Sequence, residues 1–179
     1  ILEFTNFKKK DLILDFGSGF GPFLESMKDD YNVIGLEPNK ECYLFSKKLG
    51  HKVINKYLDK NLFKPKKFKL IFSRTALPFV FDLKETLEIF YKILKNDGYL
   101  MFYLHQYKYS RFIHQKEYFN TFGKNLEHAS IFSNNSLKNI LALNNFELIH
   151  INSDISTTFL IAKKSLKKIS NKNKLKGNV

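Results

Sequence analysis

The stretch Leu12-Ile13-Leu14-Asp15-Phe16-Gly17-Ser18-Gly19-Phe20-Gly21-Pro22 constrains the fold more than any other part of the chain. Three consecutive apolar residues, Leu12 to Leu14, read as a strand covered on both faces. Glycines follow at alternate positions, Gly17, Gly19 and Gly21. Pro22 then opens an amphipathic run from Phe23 to Lys28, and proline suits a first helical turn because its missing N–H would have no partner there. Strand, glycine turn and helix in that order let the backbone come close to a ligand and leave amides free to meet it. For the glycines alone, a tight turn in any doubly wound protein is the plainer alternative.

The spacing narrows the choice of ligand. A dinucleotide turn needs G-x-G-x-x-G, whereas here Pro22 follows Gly21 and Asp15 stands two residues before Gly17. A carboxylate at the mouth of the turn repels a pyrophosphate and attracts a ligand carrying ammonium and sulfonium groups. The next apolar run, Tyr31 to Leu36, reads as a second strand and ends at Glu37. In a doubly wound sheet that end lies beside the first turn, where an acid accepts hydrogen bonds from ribose hydroxyls. An ordinary acid near a helix start is the competing explanation for Glu37.

The rest of the chain alternates in the same way. Helices are expected over residues 21–29, from Pro38-Asn39 to about Leu49, over 82–95 and from Ser133 to about Asn144. Asp82 with Glu85 three residues on forms a capping-box pattern. Strands are expected over 11–16, 31–36, weakly over 51–55, then 68–73 and 99–104, with Asn96-Asp97-Gly98 as a turn. Phe146 to Asn152 and Thr157 to Lys163 suit an antiparallel hairpin. Between His105 and Ser130 lies an aromatic insert, too long for a plain connection and therefore a candidate lid or acceptor pocket. Alternating strands and helices predict an α/β, Rossmann-like doubly wound sheet.

Composition excludes several classes. One cysteine, Cys42, leaves no disulfide framework and no cysteine-rich metal site, and no His or Cys cluster has ligand spacing. No apolar run approaches the length of a membrane span, and the start lacks a signal peptide, so a cytoplasmic location is expected. A first residue of Ile points to a fragment or a processed start. Net charge is +13, part of it in a lysine-rich stretch at the end. Such runs are commonly solvated and disordered. The expected organisation is one domain over residues 1–163 and a basic tail over 164–179.

The pattern D-x-G-x-G-x-G at Asp15 to Gly21 resembles motif I of class I S-adenosylmethionine-dependent methyltransferases. Two further phrases are similar to methyltransferase-domain-23 proteins that act on small molecules and sugars or polysaccharides. Leu94-Lys95-Asn96-Asp97-Gly98-Tyr99-Leu100 is similar to L-K-P-G-G-x-L, and His128 to Leu137 followed by Asn145-Phe146-Glu147-Leu148 is similar to H-x-x-x-F-S-x-x-x-L…G-F-E-L. The resemblance implies seven strands in the order 3-2-1-4-5-7-6, the last antiparallel. It implies S-adenosyl-L-methionine as cofactor. Asp15, Gly17 and Gly19 would hold its methionine end, Glu37 its ribose, and Asn39 would lie near the adenine, with Ser18 and Pro38 as further cofactor-binding residues. Ser73 and Arg74 would face the methionine portion or the acceptor.

The chain departs from the family pattern in three places. Lys69 stands in the usual F-D-L-I phrase, Leu77-Pro78-Phe79 replaces L-E-H, and no clear acid follows the third strand, where Tyr57, Leu58 or Asp59 stands. Methyl transfer asks the protein chiefly for alignment, with a general base when the acceptor is a hydroxyl. His105 and His128 are the base candidates; either is as readily a structural histidine. The expected function is methyl transfer to a small molecule or a sugar or polysaccharide precursor. The alternatives are an RNA methyltransferase using the basic surface, and a diverged, non-catalytic module of the same fold.

Overall fold

The computed structural model describes residues 8–105, 132–154 and 157–167. Seven strands form one sheet: β1 (Leu12–Phe16), β2 (Asn32–Leu36), β3 (Val53–Ile54), β4 (Phe68–Arg74), β5 (Leu94–His105), β6 (Phe146–Ser153) and β7 (Thr157–Lys164). Their order is β3-β2-β1-β4-β5-β7-β6. Strands β1 to β5 pair in parallel, and β7 runs antiparallel to both β5 and β6. Both the order and the reversed last strand match the expectation from sequence.

Side chains alternate across this sheet, so each strand feeds two cores. On one face Ile13, Val33, Val53, Leu70 and Met101 pack beneath α1 (Pro22–Met27) and α2 (Lys40–Lys48). On the other, Leu14, Phe16, Ile71, Leu100 and Phe102 meet α3 (Leu83–Ile93) and α4 (Asn134–Leu143). The apolar run of β1 is continuous because both of its faces are covered.

Caps fix the helix starts. Asn39 Oδ1 accepts from the amides of Glu41 and Cys42, Asp82 Oδ1 from that of Glu85, and Ser133 closes a reciprocal capping box with Ser136. Helix α1 is shorter than expected, because the amides of Asp30 and Tyr31 already turn back to the Met27 carbonyl.

Three expectations need correction. The third strand shrinks to Val53–Ile54, which is all that pairs with β2. Asn96-Asp97-Gly98 is a bulge inside β5 rather than a turn before it: Leu94 pairs with Phe68 and Tyr99 with Leu70, so the residues between them loop out of register. Lys164, assigned to the tail from sequence, is the last residue of β7; its ammonium is buried and donates to the carbonyls of Tyr91 and Leu94.

The N-terminal edge of the sheet is stitched by ion pairs. Lys95 meets Asp11 at 2.8 Å. Lys69, the departure in the F-D-L-I phrase, is buried and donates to the side chain and carbonyl of Asp97, with its ammonium 5.4 Å from the centre of the Tyr99 ring. That substitution therefore sits at the far end of β4 from the glycine turn and is compensated locally.

Candidate active site

The glycine turn folds back over the end of β1 and is held by β2. Gly17 and Ser18 both donate to the Leu36 carbonyl, at 2.9 and 3.3 Å. Gly17 has φ 72°, and a Cβ there would lie 2.2 Å from the Ala76 methyl, so only glycine serves. Gly35 in β2 is required for a different reason: a Cβ there would meet Ser18 Oγ at 2.6 Å. The turn thus settles onto a glycine of the neighbouring strand and against the chain leaving β4.

Glu37, at the end of β2, organises this corner. Its Oε2 accepts from the Gly19 amide at 2.7 Å and its Oε1 from the Asn39 amide at 2.8 Å. The carboxylate is buried, yet a carboxylate offers about four acceptor positions, so capacity for hydroxyl donors remains. The Asn55 side chain donates to the carbonyls of both Glu37 and Pro38, tying the end of β3 to the end of β2.

Asp15, two residues before the turn, is 2% exposed, and its Oδ2 has no hydrogen-bond partner. Burial pushes its carboxyl up to about 7 against the pull of the Arg74 guanidinium, and the charge on Glu37 adds to the rise. A buried carboxylate oxygen with no donor costs free energy that a cation would recover. Ser18 Oγ and Ser73 Oγ are also buried without partners.

Two cavities open at this end of the sheet. One, of about 640 Å³, is lined by Asp15, the turn from Gly17 to Gly21, Phe72 and Arg74. The other, of about 560 Å³, is lined by Glu37, Pro38, Tyr57, Leu58, Ala76 and Phe79, among others. They share Gly17, Arg74 and Thr75. An extended ligand lying across Gly17 would therefore reach Asp15 at one end and Glu37 at the other. The volumes match those of small-molecule sites.

Of the residues singled out from sequence, Asp15, Gly17, Ser18, Gly19, Glu37, Pro38 and Arg74 line these cavities. Asn39 lines neither; its side chain caps α2 while its amide holds Glu37. Ser73 also lines neither and is fully buried. Asp59 turns to its own loop, accepting from the Asn61 amide, and leaves Tyr57 and Leu58 on the cavity wall. His128, the side chain of His105 and the aromatic insert lie outside the described residues. Sequence reasoning missed Asn55, and it missed Thr75, a β-branched residue at φ 60° whose amide bonds the Tyr103 carbonyl on β5. The Phe79 side chain, standing where the family pattern places histidine, borders the second cavity. A lone polar residue after a short strand carries no motif, and backbone strain leaves no mark in a sequence.

A doubly wound sheet with an acid-led glycine turn and a second acid one strand over defines a nucleoside-cofactor enzyme of the methyltransferase class. Residues 1–151 match the model of the "Methyltransferase domain" family, and the chain belongs to that family. It is an S-adenosylmethionine-dependent methyltransferase.

Solved structures share the fold. An S-adenosylmethionine-dependent methyltransferase from Mesorhizobium loti is 14% identical, with a TM-score of 0.71 over 88% of this chain and 94% of that one. A second, from Methanosarcina mazei, is 19% identical, with a TM-score of 0.70 over 90% of this chain and 95% of that one. Phosphoethanolamine N-methyltransferase 2 from Haemonchus contortus, solved with S-adenosyl-L-methionine, is 15% identical, with a TM-score of 0.75 over 91% of this chain and 50% of that one. No curated protein matches the sequence at a significant level. The residues present fit the cofactor: an unpartnered buried carboxylate oxygen for its positive end, and a carboxylate with spare acceptor capacity for its ribose.

Proposed function

We propose that this methyltransferase acts on a small molecule or a sugar or polysaccharide precursor, with the cofactor lying across Gly17 between Asp15 and Glu37. The observation that carries the reading is the pair of cavities that meet at Gly17, Arg74 and Thr75, with Asp15 on the wall of one and Glu37 on the wall of the other. The cofactor supplies a methyl group already activated on a sulfonium.

The protein's own contribution is placement. Asp15, with the amides of Gly17, Ser18 and Gly19, holds the ammonium end. Arg74, exposed at the end of β4, supplies a cation for the neighbouring carboxylate. Glu37 and Pro38 receive the ribose, and Leu58 and Ala76 offer apolar surface to the base. Asn39 keeps Glu37 oriented. His105 and His128 stand as the base candidates for a hydroxyl acceptor. The resemblance of the Leu94–Leu100 and His128–Leu148 phrases to methyltransferases of small molecules and sugars supports a small acceptor over a polymer. The single cysteine suits a reducing compartment such as the cytoplasm.

The test is transfer of radiolabelled methyl from S-adenosylmethionine in fractionated extracts. Label in the small-molecule or sugar fraction supports the reading. Label confined to RNA, or to no fraction while the wild-type protein binds the cofactor, overturns it.

A further inference from the structure

We propose that the end of the sheet opposite the cofactor cavities docks on an anionic lipid surface. The inference stands on surface charge and is independent of the methyl-transfer reading.

The first residues of β1, β2, β4 and β5 share one edge, because these strands run parallel. Of the acids there, Asp11 is taken by Lys95 and Asp97 by Lys69, while Asp29, Asp30 and Glu147 are exposed. A surplus of lysine remains. Lys8, Lys9 and Lys10 precede β1, Lys64 and Lys66 precede β4, and Lys167 follows the end of β7 at the same edge; all six are exposed. Of these only Lys9 has an acid within reach among the described residues, Asp30 at 3.7 Å. The opposite end carries five acids around the cavities, Asp15, Glu25, Glu37, Asp82 and Glu85, against two cations, Lys56 and Arg74. The positive charge of the chain is therefore polarised, not spread evenly.

The kind of anion follows from what accompanies the lysines. A single-stranded nucleic acid is held by a groove with aromatic side chains on which bases stack. Among the described residues, the strongly exposed aromatics Phe20, Tyr57, Phe79 and Phe81 lie with the cavities, at the other end. The lysine edge offers instead an exposed aliphatic residue, Leu166, beside Lys167. Exposed lysines beside an aliphatic side chain match a bilayer of acidic headgroups, which asks for charge and an apolar contact and no base readout. Docked by this edge, the molecule keeps both cavities open to water, where a soluble acceptor reaches them.

The experiment is sedimentation of the full chain with vesicles of phosphatidylcholine alone and of phosphatidylcholine with about 30% phosphatidylserine. Binding is expected only to the second, and it weakens at least about tenfold between low and high salt, since exposed charges are screened. The triple variant Lys10→Glu, Lys64→Glu, Lys167→Glu weakens vesicle binding at least about tenfold, each lysine near the surface contributing severalfold. The same charge change placed elsewhere, Lys47→Glu, Lys84→Glu, Lys138→Glu, weakens it less than about threefold. Unchanged S-adenosylmethionine binding by the first triple variant confirms that it is folded. Equal binding to both vesicle types, no binding to either, equal loss in both triple variants, or stronger binding to a uridine oligonucleotide than to vesicles would each overturn the proposal.

Discussion

The two ends of the sheet treat buried charge in opposite ways. At the N-terminal edge each buried charged group has a partner: Lys69 has Asp97, Asp11 has Lys95, and Lys164 has two backbone carbonyls. At the C-terminal edge Asp15 Oδ2 and the hydroxyls of Ser18 and Ser73 are buried with nothing to bond. One chain, folded around one sheet, has solved the polar-burial problem at one end and left it open at the other. Folding alone gives no reason for that asymmetry, because an unmet buried polar group destabilises wherever it lies. A ligand that binds at one end does. Glu37 sharpens the point: it sits beside Asp15 and is already saturated enough to be stable without a ligand, whereas Asp15 is not.

The contrast can be broken most severely at Gly17. Gly17→Ala places a methyl 2.2 Å from the Ala76 methyl at φ 72°. The combined strain and overpacking should cost about 2–5 kcal/mol, and denaturant unfolding should show it together with loss of cofactor binding. A variant of wild-type stability would mean that the turn and the β4 exit do not interlock.

Asp15 gives the next largest effect, and its sign is opposite to that of an ion-paired carboxylate. Unfolded, it ionises near 3.8; folded, it keeps its proton to about 7. Between those values the folded state binds more protons, so stability of the ligand-free protein falls as pH rises, by at most about 4 kcal/mol. Asp15→Asn should flatten that slope and raise the melting temperature at pH above 7. A wild-type curve that is flat from pH 4 to 7 would remove the argument for an unmet charge.

At the other edge, Asp97→Ala leaves the Lys69 ammonium, 5% exposed, with the backbone carbonyl of residue 97 and the Tyr99 ring but no counter-charge. The expected cost is about 1–3 kcal/mol with cofactor affinity unchanged, so stability and binding separate by location. The smallest effect is expected at Thr75. A β-branched residue at φ 60° is strained by about 1 kcal/mol, so Thr75→Gly should leave the melting temperature within a few degrees of wild type while weakening cofactor binding, because the strained bend presses Ala76 against Gly17. Unchanged affinity would show that the bend serves only the fold.

Much of this was legible in the residues because it has periodicity or spacing. The continuous apolar run of β1, the alternate glycines, Glu37 at the end of β2 and the Ser133 cap each leave a local pattern. What escaped was held by contacts between distant parts of the chain. The β5 bulge at Asn96–Gly98 looks like an ordinary turn until the pairing of Leu94 with Phe68 is seen. Lys164 reads as part of a solvated run, yet its stem is buried between β7 and α3, where two carbonyls receive its ammonium. Asn39 was placed beside the base from family resemblance, while its local chemistry as an N-cap took precedence. The charge asymmetry between the two edges is a property of the assembled sheet and of no single segment.

The central claim is that the unmet Asp15 carboxylate is held for the positively charged end of the cofactor. Calorimetric titration of S-adenosylmethionine into the wild-type protein and Asp15→Asn at pH 8, where the carboxylate is ionised, tests it directly. Binding at least about tenfold weaker in the variant is the predicted result, since a charge-assisted contact contributes about 1.5–3 kcal/mol. Equal affinity in the two proteins, with the variant folded, would contradict it.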